Sequence, residues 1–284
     1  MNDNAGKFKF SPGVAELKQM IEHLDLRLEV LGTKSEADMI RTIRELVDRG
    51  AERVAVAGGD GTVSTAIQIL ANCETALGIV PQGTANNFAT ALRLPQDLPS
   101  ALRVLQEGEV KAVDLGKSCG RYFAESTGVG LFADALSIYG RESNKNLWRS
   151  LYAVARIILG LHPHRLKLTI DGKMHEEPAV FCVAANGFRM AHSLAVAPSA
   201  KLTDGELDLV IIGDLDRREL FTYYKAMRQQ MHITMPKVKM FRAKEVRIEA
   251  RRRLPVHCDD KVPCTTPVTI TAEPKALKVI VEQL

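Results

Sequence analysis

The stretch from Arg53 to Leu70, RVAVAGGDGTVSTAIQIL, constrains the fold of this chain more than any other. It begins with an uninterrupted apolar run, Val54–Ala57, which is typical of a short buried strand, and it ends with apolar residues at helical spacing. Between them, Gly58-Gly59-Asp60-Gly61-Thr62 lets the backbone approach a ligand closely and directs N–H groups at it, beside the positive end of a helix. The stretch therefore predicts a phosphate-binding turn between a strand and a helix.

Asp60 is the unexpected member of this turn. A carboxylate beside a phosphate repels it unless a divalent cation or a hydrogen-bond donor lies between them. The structural alternative is a tight strand-to-helix turn in which Asp60 or Thr62 caps the helix. Short glycine motifs of this kind also occur without a ligand, so the rest of the chain must decide between the two interpretations.

A second glycine turn, PQGTANNFA over Pro81–Ala89, follows a strand predicted at Leu77–Val80. Gly83, Thr84 and Asn86 are candidates for nucleotide contact. For the neighbouring Asn87, a helix cap explains the amide at least as well as a ligand role does. Because the carboxyl ends of parallel strands lie on the same rim of a sheet, both glycine turns are expected to open on that rim.

The first hundred residues alternate between predicted strands and helices. Helices are expected at Val14–His23 and Met39–Val47, where Ser35 and Asp38 resemble a capping box at the start of the second helix. The alternating residues Leu26–Leu31 are expected to form a strand. This order predicts βαβ units and a doubly wound parallel sheet.

After Gly108 predicted strands dominate, and Asp171-Gly172 is a strong signal for a type I′ hairpin turn. Two helices are expected in this half, at Leu147–Leu159 and Arg217–Met231. The pattern predicts an antiparallel, sandwich-like domain. Its predicted strands are Glu109–Val113, Arg121–Ser126, Arg165–Ile170, Lys173–Glu176, Ala179–Ala185, Leu207–Ile212, Lys237–Phe241, Val246–Ala250, Leu254–Cys258 and Val268–Ala272.

We therefore expect an α/β nucleotide-binding domain over residues 1–113 and a β-sandwich domain over residues 114–273. The tail, residues 274–284, is expected to pack back on the first domain. The chain of 284 residues is long enough for two such cores.

Composition excludes several classes of protein. A net charge of +4 is too small a surplus to predict a nucleic-acid partner. The five cysteines are scattered without CxxC spacing, which favours reduced thiols in a cytoplasmic protein over a disulfide framework or a zinc site. Neither a signal peptide nor a membrane-spanning segment is predicted. The basic run Lys237–Arg253 is either the solvated face of strands, which we favour slightly, or a patch for an anionic membrane surface.

Two acidic turns are further candidates for chemistry. Lys201–Asp208, KLTDGELD, is either an Asx turn made by Asp204 or a site for a hard cation. The adjacent Asp259 and Asp260 could supply a base or a metal ligand, although paired acids in a turn are usually only solvated.

In chain order these motifs resemble the diacylglycerol kinase catalytic-domain family, and within it the bacterial lipid kinases related to sphingosine and ceramide kinases. GGDGT alone is shared with NAD kinases, whereas its combination with PxGTxN and DGxLD is specific to the lipid group. The resemblance rests on GGDGT, PxGTxNxFA, Asp114-Leu115-Gly116, Gly128-Val129-Gly130, Asn186, Pro198, the DGELD turn at Asp204–Asp208 and the terminal acidic turn.

The resemblance implies ATP and Mg²⁺ as cofactors, in a cleft between the two domains, with a lipid hydroxyl at a membrane surface as the acceptor. It implies nucleotide contact by the two glycine loops and by Thr33, and it likens Asn2–Lys7 to the family's NPxSGK loop. It implies a structural Mg²⁺ held by the Asp204 side chain and by the carbonyls of Lys201 and Glu206. It places the base that accepts the lipid proton on Asp259, with Asp260 in reserve, and it assigns Asp60 to the Mg²⁺ of ATP.

The chain departs from the family pattern at four points. Its sequence starts at the NPxSGK-like loop without the family's first strand, and Asp3 follows Asn2 where the family has proline. Asn87 replaces an aspartate, and the DGE turn reads Asp259-Asp260-Lys261. Two alternatives to a lipid kinase are therefore kept. The first is a nucleotide-binding regulatory homologue, and the second, which the sequence favours less, is a NAD kinase. The location is expected to be cytoplasmic, at the inner face of the membrane if it is peripheral, and a homodimer stays open.

Overall fold

The computed structural model describes residues 13–139, 161–190 and 194–283, which fall into two compact units. The first unit comprises the described residues up to Leu115 together with those from Pro274 onwards, and the second comprises Gly116–Glu273. Within these ranges, no helix combines the length and the apolar character needed to cross a bilayer. The predicted helix Leu147–Leu159 and the loop Asn2–Lys7 lie outside the described residues.

The first unit is an α/β domain, as predicted. Strands β1 and β2 are parallel neighbours, with Gly58 opposite Pro81, and the end of β14 pairs in parallel with the other edge of β2. The Ser35 hydroxyl caps α2 by accepting the N–H of Asp38. The elements are α1 Val14–His23, α2 Glu36–Asp48, β1 Arg53–Gly58, α3 Asp60–Leu70, β2 Ala76–Pro81, α4 Asn87–Ala91, α5 Leu98–Glu107, the start of β3 Glu109–Ser118, and the end of β14 Val268–Val281.

The strand predicted at Leu26–Leu31 is wrong, since this segment has no regular secondary structure. The predicted alternation of buried and exposed side chains is present, since Leu28 and Val30 are half-buried and Glu29 between them is exposed. A cavity of about 820 Å³ is lined by this segment and by β1. Alternation specifies which side chains are buried, but a strand also needs a neighbour for its backbone hydrogen bonds.

The second unit contains two antiparallel layers, so the predicted sandwich is confirmed. One sheet has the order β10-β9-β8-β5-β12-β13, and the other runs from β14 through β11 and β6 to β7. Alternating residues of both layers, such as Leu166, Leu168, Leu207 and Leu209, share one buried core. The elements are β4 Arg121–Phe123, β5 Ser126–Gly130, α6 Leu131–Tyr139, β6 His164–Ile170, β7 Lys173–Ala179, β8 Phe181–Ala185, β9 Leu207–Ile212, α7 Arg217–Arg228, a 3₁₀ turn His232–Thr234, β10 Val238–Ala243, β11 Glu245–Ala250, β12 Pro255–Cys258 and β13 Lys261–Thr265.

The hairpin at Asp171-Gly172 is confirmed, since both residues have positive φ, 44° and 79°, as a type I′ turn requires. Other elements gave weaker signals. The sequence analysis missed helices α5 and α6 and strands β5 and β13. Strand β5 reads STGVG, a poor strand by propensity, yet a Cβ on Gly128 would lie 2.2 Å from the carbonyl oxygen of Cys182, so close strand packing requires glycine there.

The expectation that all five cysteines are reduced is also wrong. Cys119 and Cys264 form a disulfide, with their Cα atoms 5.8 Å apart. Cys119 lies in the tight turn between β3 and β4, and Cys264 lies on β13. The two residues are 145 positions apart in sequence, so only the packing of these hairpins brings them together.

Candidate active site

The first glycine turn forms without a side-chain cap. Helix α3 begins at Asp60, and its N-cap is Gly59, whose carbonyl accepts the N–H of Thr62 at 3.0 Å. The interpretation of Asp60 or Thr62 as the cap is therefore wrong. Asp60 lies in the first turn of α3, where the helix dipole favours a carboxylate or a phosphate.

The two predicted loops meet at Gly59 and Gly83. A Cβ on Gly83 would lie 2.5 Å from the Cα of Gly59, and one on Gly59 would lie 2.9 Å from the Cα of Gly83. Neither glycine has a positive φ, so the close approach of the two backbones, and not the turn conformation, requires glycine here. The prediction that both loops lie on one rim is consistent with this contact and with the parallel pairing of β1 and β2.

Asn86 closes the second loop instead of projecting from it. Its Oδ1 accepts the N–H of Gly83 at 2.8 Å, and its Nδ2 donates to the Gly83 carbonyl at 3.1 Å. Asn86 has the left-handed conformation that asparagine tolerates, and Asn87, buried, starts α4. Thr84 is exposed, so its hydroxyl is accessible to a ligand.

Gln82 is a candidate that the sequence analysis missed. It lies in the second loop, directly before Gly83, and its N–H donates to the carbonyl of Gly58 in the first loop at 2.9 Å. Both amide atoms of its side chain are buried and have no hydrogen-bond partner among the described residues. A buried amide without partners is costly, which marks this position beside the glycine loops as one to test.

Thr33, implied by the resemblance as an adenosine contact, is buried, and with Thr62 it lines the cavity beside β1. Asn2 lies outside the described residues.

In the second unit, Asp259 is held tightly at the end of β12. Its Oδ1 accepts the N–H groups of Glu125 and Ser126 at 2.9 and 3.2 Å, and its Oδ2 accepts that of Ala124 at 3.1 Å. Its own N–H donates to the Ser126 carbonyl at 2.9 Å. A carboxylate offers about four acceptor positions, so Oδ2 has capacity for one more donor.

Burial raises the pKa of Asp259 to about 6; the three backbone hydrogen bonds oppose the rise and the charge of Asp260 adds to it. A carboxylate with such a pKa suits a general base near neutral pH. Asp260 itself is exposed. The nearby His257 is fully buried, and burial lowers its pKa to about 3, so its imidazole stays neutral.

Strand register places the polar residues of the second unit at one end of the six-stranded sheet. Ser126 lies opposite Ala185, and Ala185 lies opposite Asp208. Asp208 in turn lies opposite Arg242 on β10. Because β12 ends beside the start of β5, Asp259 lies at this end as well.

The acidic turn at this end, Lys201–Asp208, is contacted by the positively charged side chain of Arg242 from β10. The Arg242 guanidinium contacts the Asp204 carboxylate, and its Nε lies 3.4 Å from Asp208 and 3.7 Å from Glu206. The other oxygen of Asp204 accepts the N–H of Glu206 at 3.2 Å, which is the Asx turn of the structural interpretation. Asp208 is buried, which raises its pKa, while hydrogen bonding to Ser199 and the charge of Arg242 lower it.

These contacts bear on the Mg²⁺ implied at Asp204, Lys201 and Glu206. Arg242 already neutralises the one side chain expected to bind the ion. In this arrangement the Arg242 guanidinium takes the place of a cation beside Asp204, and no chemistry is assigned to a metal ion in this turn.

The basic run Lys237–Arg253 is partly neutralised within the chain, in line with the solvated-strand interpretation. In addition to Arg242, its ion pairs are Lys237 with Glu219 at 2.6 Å, Lys239 with Glu177 at 2.7 Å, and Arg247 with Glu249 at 2.8 Å.

Two family models match the chain. One, described as the diacylglycerol kinase catalytic domain, matches residues 1–118, and the other, described as the YegS C-terminal NAD kinase beta sandwich-like domain, matches residues 131–281. Among proteins of similar sequence, one from Mycobacterium tuberculosis (strain CDC 1551 / Oshkosh), named diacylglycerol kinase, is 29% identical over 89% of this chain and 84% of its own.

A second relative, from Chromohalobacter salexigens and named probable lipid kinase YegS-like, is 28% identical over 91% of this chain and 85% of its own. The crystal structure of a diacylglycerol kinase from Bacillus anthracis str. Sterne superposes with a TM-score of 0.74 at 23% identity, covering 99% of this chain and 94% of that one. This likeness in structure concerns the fold.

Proposed function

Because the chain belongs to the bacterial lipid kinases that combine a diacylglycerol kinase catalytic domain with a YegS-type C-terminal domain, we propose that it transfers the γ-phosphate of ATP to the hydroxyl group of a diacylglycerol-like lipid. The observation that carries the proposal is the contact between Gly59 and Gly83, which joins two loops rich in backbone N–H groups into one cradle at the start of α3. Such a cradle suits the phosphates of a nucleotide.

We assign Asp60 to the Mg²⁺ that accompanies ATP. Its carboxylate is a hard oxygen ligand in the first turn of α3, beside the cradle, so the residues present fit a hydrated Mg²⁺ bound together with phosphates. When bound, the ion would neutralise charge on the phosphate oxygens. The glycine loops would position those phosphates, which is most of what phosphoryl transfer requires of a protein.

We assign proton transfer to Asp259. As the lipid hydroxyl oxygen forms its bond to the γ-phosphorus, the bond to the bridging oxygen of ADP breaks and the hydroxyl proton passes to the carboxylate. Oδ2 is the atom with spare acceptor capacity, and the three backbone N–H groups hold the carboxyl group in place. A pKa of about 6 leaves Asp259 ionised at neutral pH.

The test is ATP consumption and phospholipid formation in mixed micelles that each present one hydroxyl lipid, with Mg²⁺. Consumption that depends on one lipid, and that falls at least about a thousandfold in Asp60→Ala and in Asp259→Ala, would support the proposal. Asp97→Ala is the matched control, because Asp97 also lies at a helix N-terminus of the first unit, where its carboxylate caps α5 by accepting the N–H of Ser100. An Asp60→Ala variant with near-normal activity would overturn the assignment.

The alternative of a nucleotide-binding protein without turnover is favoured by Asn87, which the resemblance places where many relatives have an aspartate, because an amide cannot neutralise charge on Mg²⁺. Binding of ATP without turnover on any lipid would support it. NAD in place of the lipid tests the soluble acceptor of a NAD kinase in the same assay.

A further inference from the structure

Helix α7 has two contrasting faces. Tyr223 and Met227 are buried against the outer side of the six-stranded sheet, in a cluster with residues of β8 and β9. On the opposite face Phe221 is 73% exposed, and Tyr224 is exposed beside it. Single exposed apolar side chains are common on protein surfaces, but several together indicate an interaction site.

Basic residues surround Phe221 on this face. Arg217 and Arg218 precede it by four and three positions, and Lys225 follows it by four, so all three lie beside the ring on the helix surface. Arg228 continues the same face one turn later.

The acidic residues of α7 and its cap are engaged elsewhere. The Glu219 carboxylate accepts a hydrogen bond from Lys237 at 2.6 Å and one from the N–H of Asp216 at 2.9 Å. The Asp216 carboxylate accepts the N–H groups of Arg218 and Glu219. The exposed face of α7 thus combines cations and apolar groups and carries no acid.

The chain after α7 extends the apolar part of this surface. Gln230 adopts a left-handed conformation, with φ of 61°, and Met231 is then 61% exposed and Ile233 also exposed. Between them His232 is buried, with its Nε2 2.8 Å from the carbonyl oxygen of Val196. This anchor holds the two neighbouring side chains in the solvent.

We propose that this region, the α7 surface, docks on an anionic lipid bilayer. We define it as Arg217, Arg218, Phe221, Tyr224, Lys225, Arg228, Met231 and Ile233. Aromatic and aliphatic side chains can enter the boundary between headgroups and acyl chains while lysine and arginine beside them attract anionic headgroups. A bilayer fits better than a folded protein partner, because the exposed face of α7 carries cations beside its apolar groups while Asp216 and Glu219 are already hydrogen-bonded, and such a face matches a uniformly negative surface.

The inference rests on the proposed function only for the choice of a bilayer as partner, and binding to a bilayer requires no turnover. The experiment is therefore co-sedimentation of the full chain with vesicles, without ATP and without diacylglycerol. Vesicles of phosphatidylcholine alone are compared with vesicles that also contain phosphatidylglycerol. Binding only to the anionic vesicles, lost at high salt, is the expected result.

Three variants locate the binding surface. Replacement of Arg218, Lys225 and Arg228 by glutamine is expected to weaken binding on the order of a hundredfold, since each cation near the headgroups contributes roughly a fivefold change. Phe221→Ser is expected to weaken it about tenfold. Met174→Ser is the matched control, because Met174 is 78% exposed on β7, outside the α7 surface, and its variant should bind like the unmodified chain.

Melting temperatures of all variants establish that they are folded. Unchanged vesicle binding in both α7 variants would overturn the inference, as would an unmodified chain that does not bind anionic vesicles. Vesicle binding with no turnover on any lipid would leave the inference standing and count against the proposed function. Turnover in micelles without vesicle binding would do the reverse.

Discussion

The backbones of Gly59 and Gly83 touch, so that a Cβ added to Gly83 would lie 2.5 Å from the Cα of its neighbour. Real Cβ atoms do not approach a backbone so closely, and backbone cannot move aside as a flexible side chain can. We expect Gly83→Ala to push the two loops apart, to destabilise the fold by about 1–3 kcal/mol and to weaken ATP binding at least tenfold. Calorimetric titration with ATP and a thermal melt measure the two effects.

Gly213→Ala is the control for this prediction. A Cβ there would meet nothing closer than the Lys237 carbonyl oxygen at 3.4 Å, an ordinary contact. Equal ATP affinity in the two alanine variants would show that the contact between the loops does not shape the nucleotide site.

Gln82 provides a test in which stability and binding should move in opposite directions. Its buried amide has no hydrogen-bond partner in the part of the chain that the structure describes, and methionine removes these polar atoms while keeping a similar length. We therefore expect Gln82→Met to raise the free energy of unfolding by about 1–3 kcal/mol. If the amide serves a nucleotide, the affinity for ATP falls in the same variant. A lower melting temperature without ATP would contradict the expectation.

The raised pKa of Asp259 predicts a pH profile. A general base must be ionised to accept a proton, so kcat/KM should rise with pH through about 6 and level off above it. Asp259→Asn cannot accept the proton and should lose at least about a hundredfold in kcat above about pH 6, with a smaller difference at lower pH, where Asp259 itself is protonated. The expected midpoint of the profile is about pH 6. A kcat/KM that stays constant between about pH 5 and 8 would contradict the role of Asp259 as the base.

The raised pKa of Asp259 also makes the stability of the fold depend on pH, but stability should fall with rising pH where kcat/KM rises. Because the pKa of Asp259 is higher in the folded protein than its ordinary value of 3.8, the folded state holds the proton more tightly. The stabilisation from this protonation is complete below about pH 4 and is lost as the pH rises through about 6. Thermal melts across this range, compared with Asp259→Asn, should show that slope in the unmodified chain.

Local signals in the sequence were sufficient where neighbours along the chain determine the structure. The glycine loops, the hairpin at Asp171-Gly172 and the alternating strands of the second unit are all of this kind. Residues that matter through distant partners gave no such signal. Gln82 reads as an ordinary loop residue, and Arg242 reads as one basic residue in a run of eight, until strand pairing sets it opposite Asp208.

Leu26–Leu31 is a segment whose local pattern predicted burial correctly but secondary structure wrongly. Its alternation correctly indicates which side chains face inward, but strand formation depends on a backbone partner that no local pattern reveals. The alternation therefore predicted burial and not hydrogen bonding.

The ion pairs of Arg242 with the acidic turn lead to a prediction about the effect of Mg²⁺ on stability. Arg242→Met removes the guanidinium and leaves the buried Asp208 beside two further acids, which should lower the free energy of unfolding by about 1–3 kcal/mol. Mg²⁺ should restore part of that stability by binding the acids that Arg242 contacted. The unmodified chain, with Arg242 in place, should melt at nearly the same temperature with and without Mg²⁺. Thermal melts of Arg242→Met with and without the ion measure the difference.

The control is Arg247→Met. The two arginine side chains are equally exposed, 50% for Arg242 and 48% for Arg247, but among the described residues the ion pair of Arg247 is with Glu249 on its own strand. Such a surface pair contributes little, so we expect neither a large loss nor a response to Mg²⁺. Equal behaviour of the two variants would show that Arg242 does not take the place of a cation.

The disulfide between Cys119 and Cys264 predicts a stability that depends on redox conditions. It closes a loop of 145 residues, and cross-links over long loops stabilise mainly by restricting the unfolded chain. Cys119→Ser, or treatment with a reductant, should therefore lower the free energy of unfolding by about 2–5 kcal/mol.

The consequence for activity follows from where the bridge lies. Cys119 precedes the segment that donates three N–H groups to Asp259, and Cys264 belongs to the hairpin that carries Asp259. Opening the bridge should loosen that contact, so kcat should fall in Cys119→Ser while ATP affinity stays unchanged. Cys73→Ser is the control, because Cys73 is a free thiol in the first unit. If reduction alters neither the melting temperature nor kcat, the bridge has no part in holding the base.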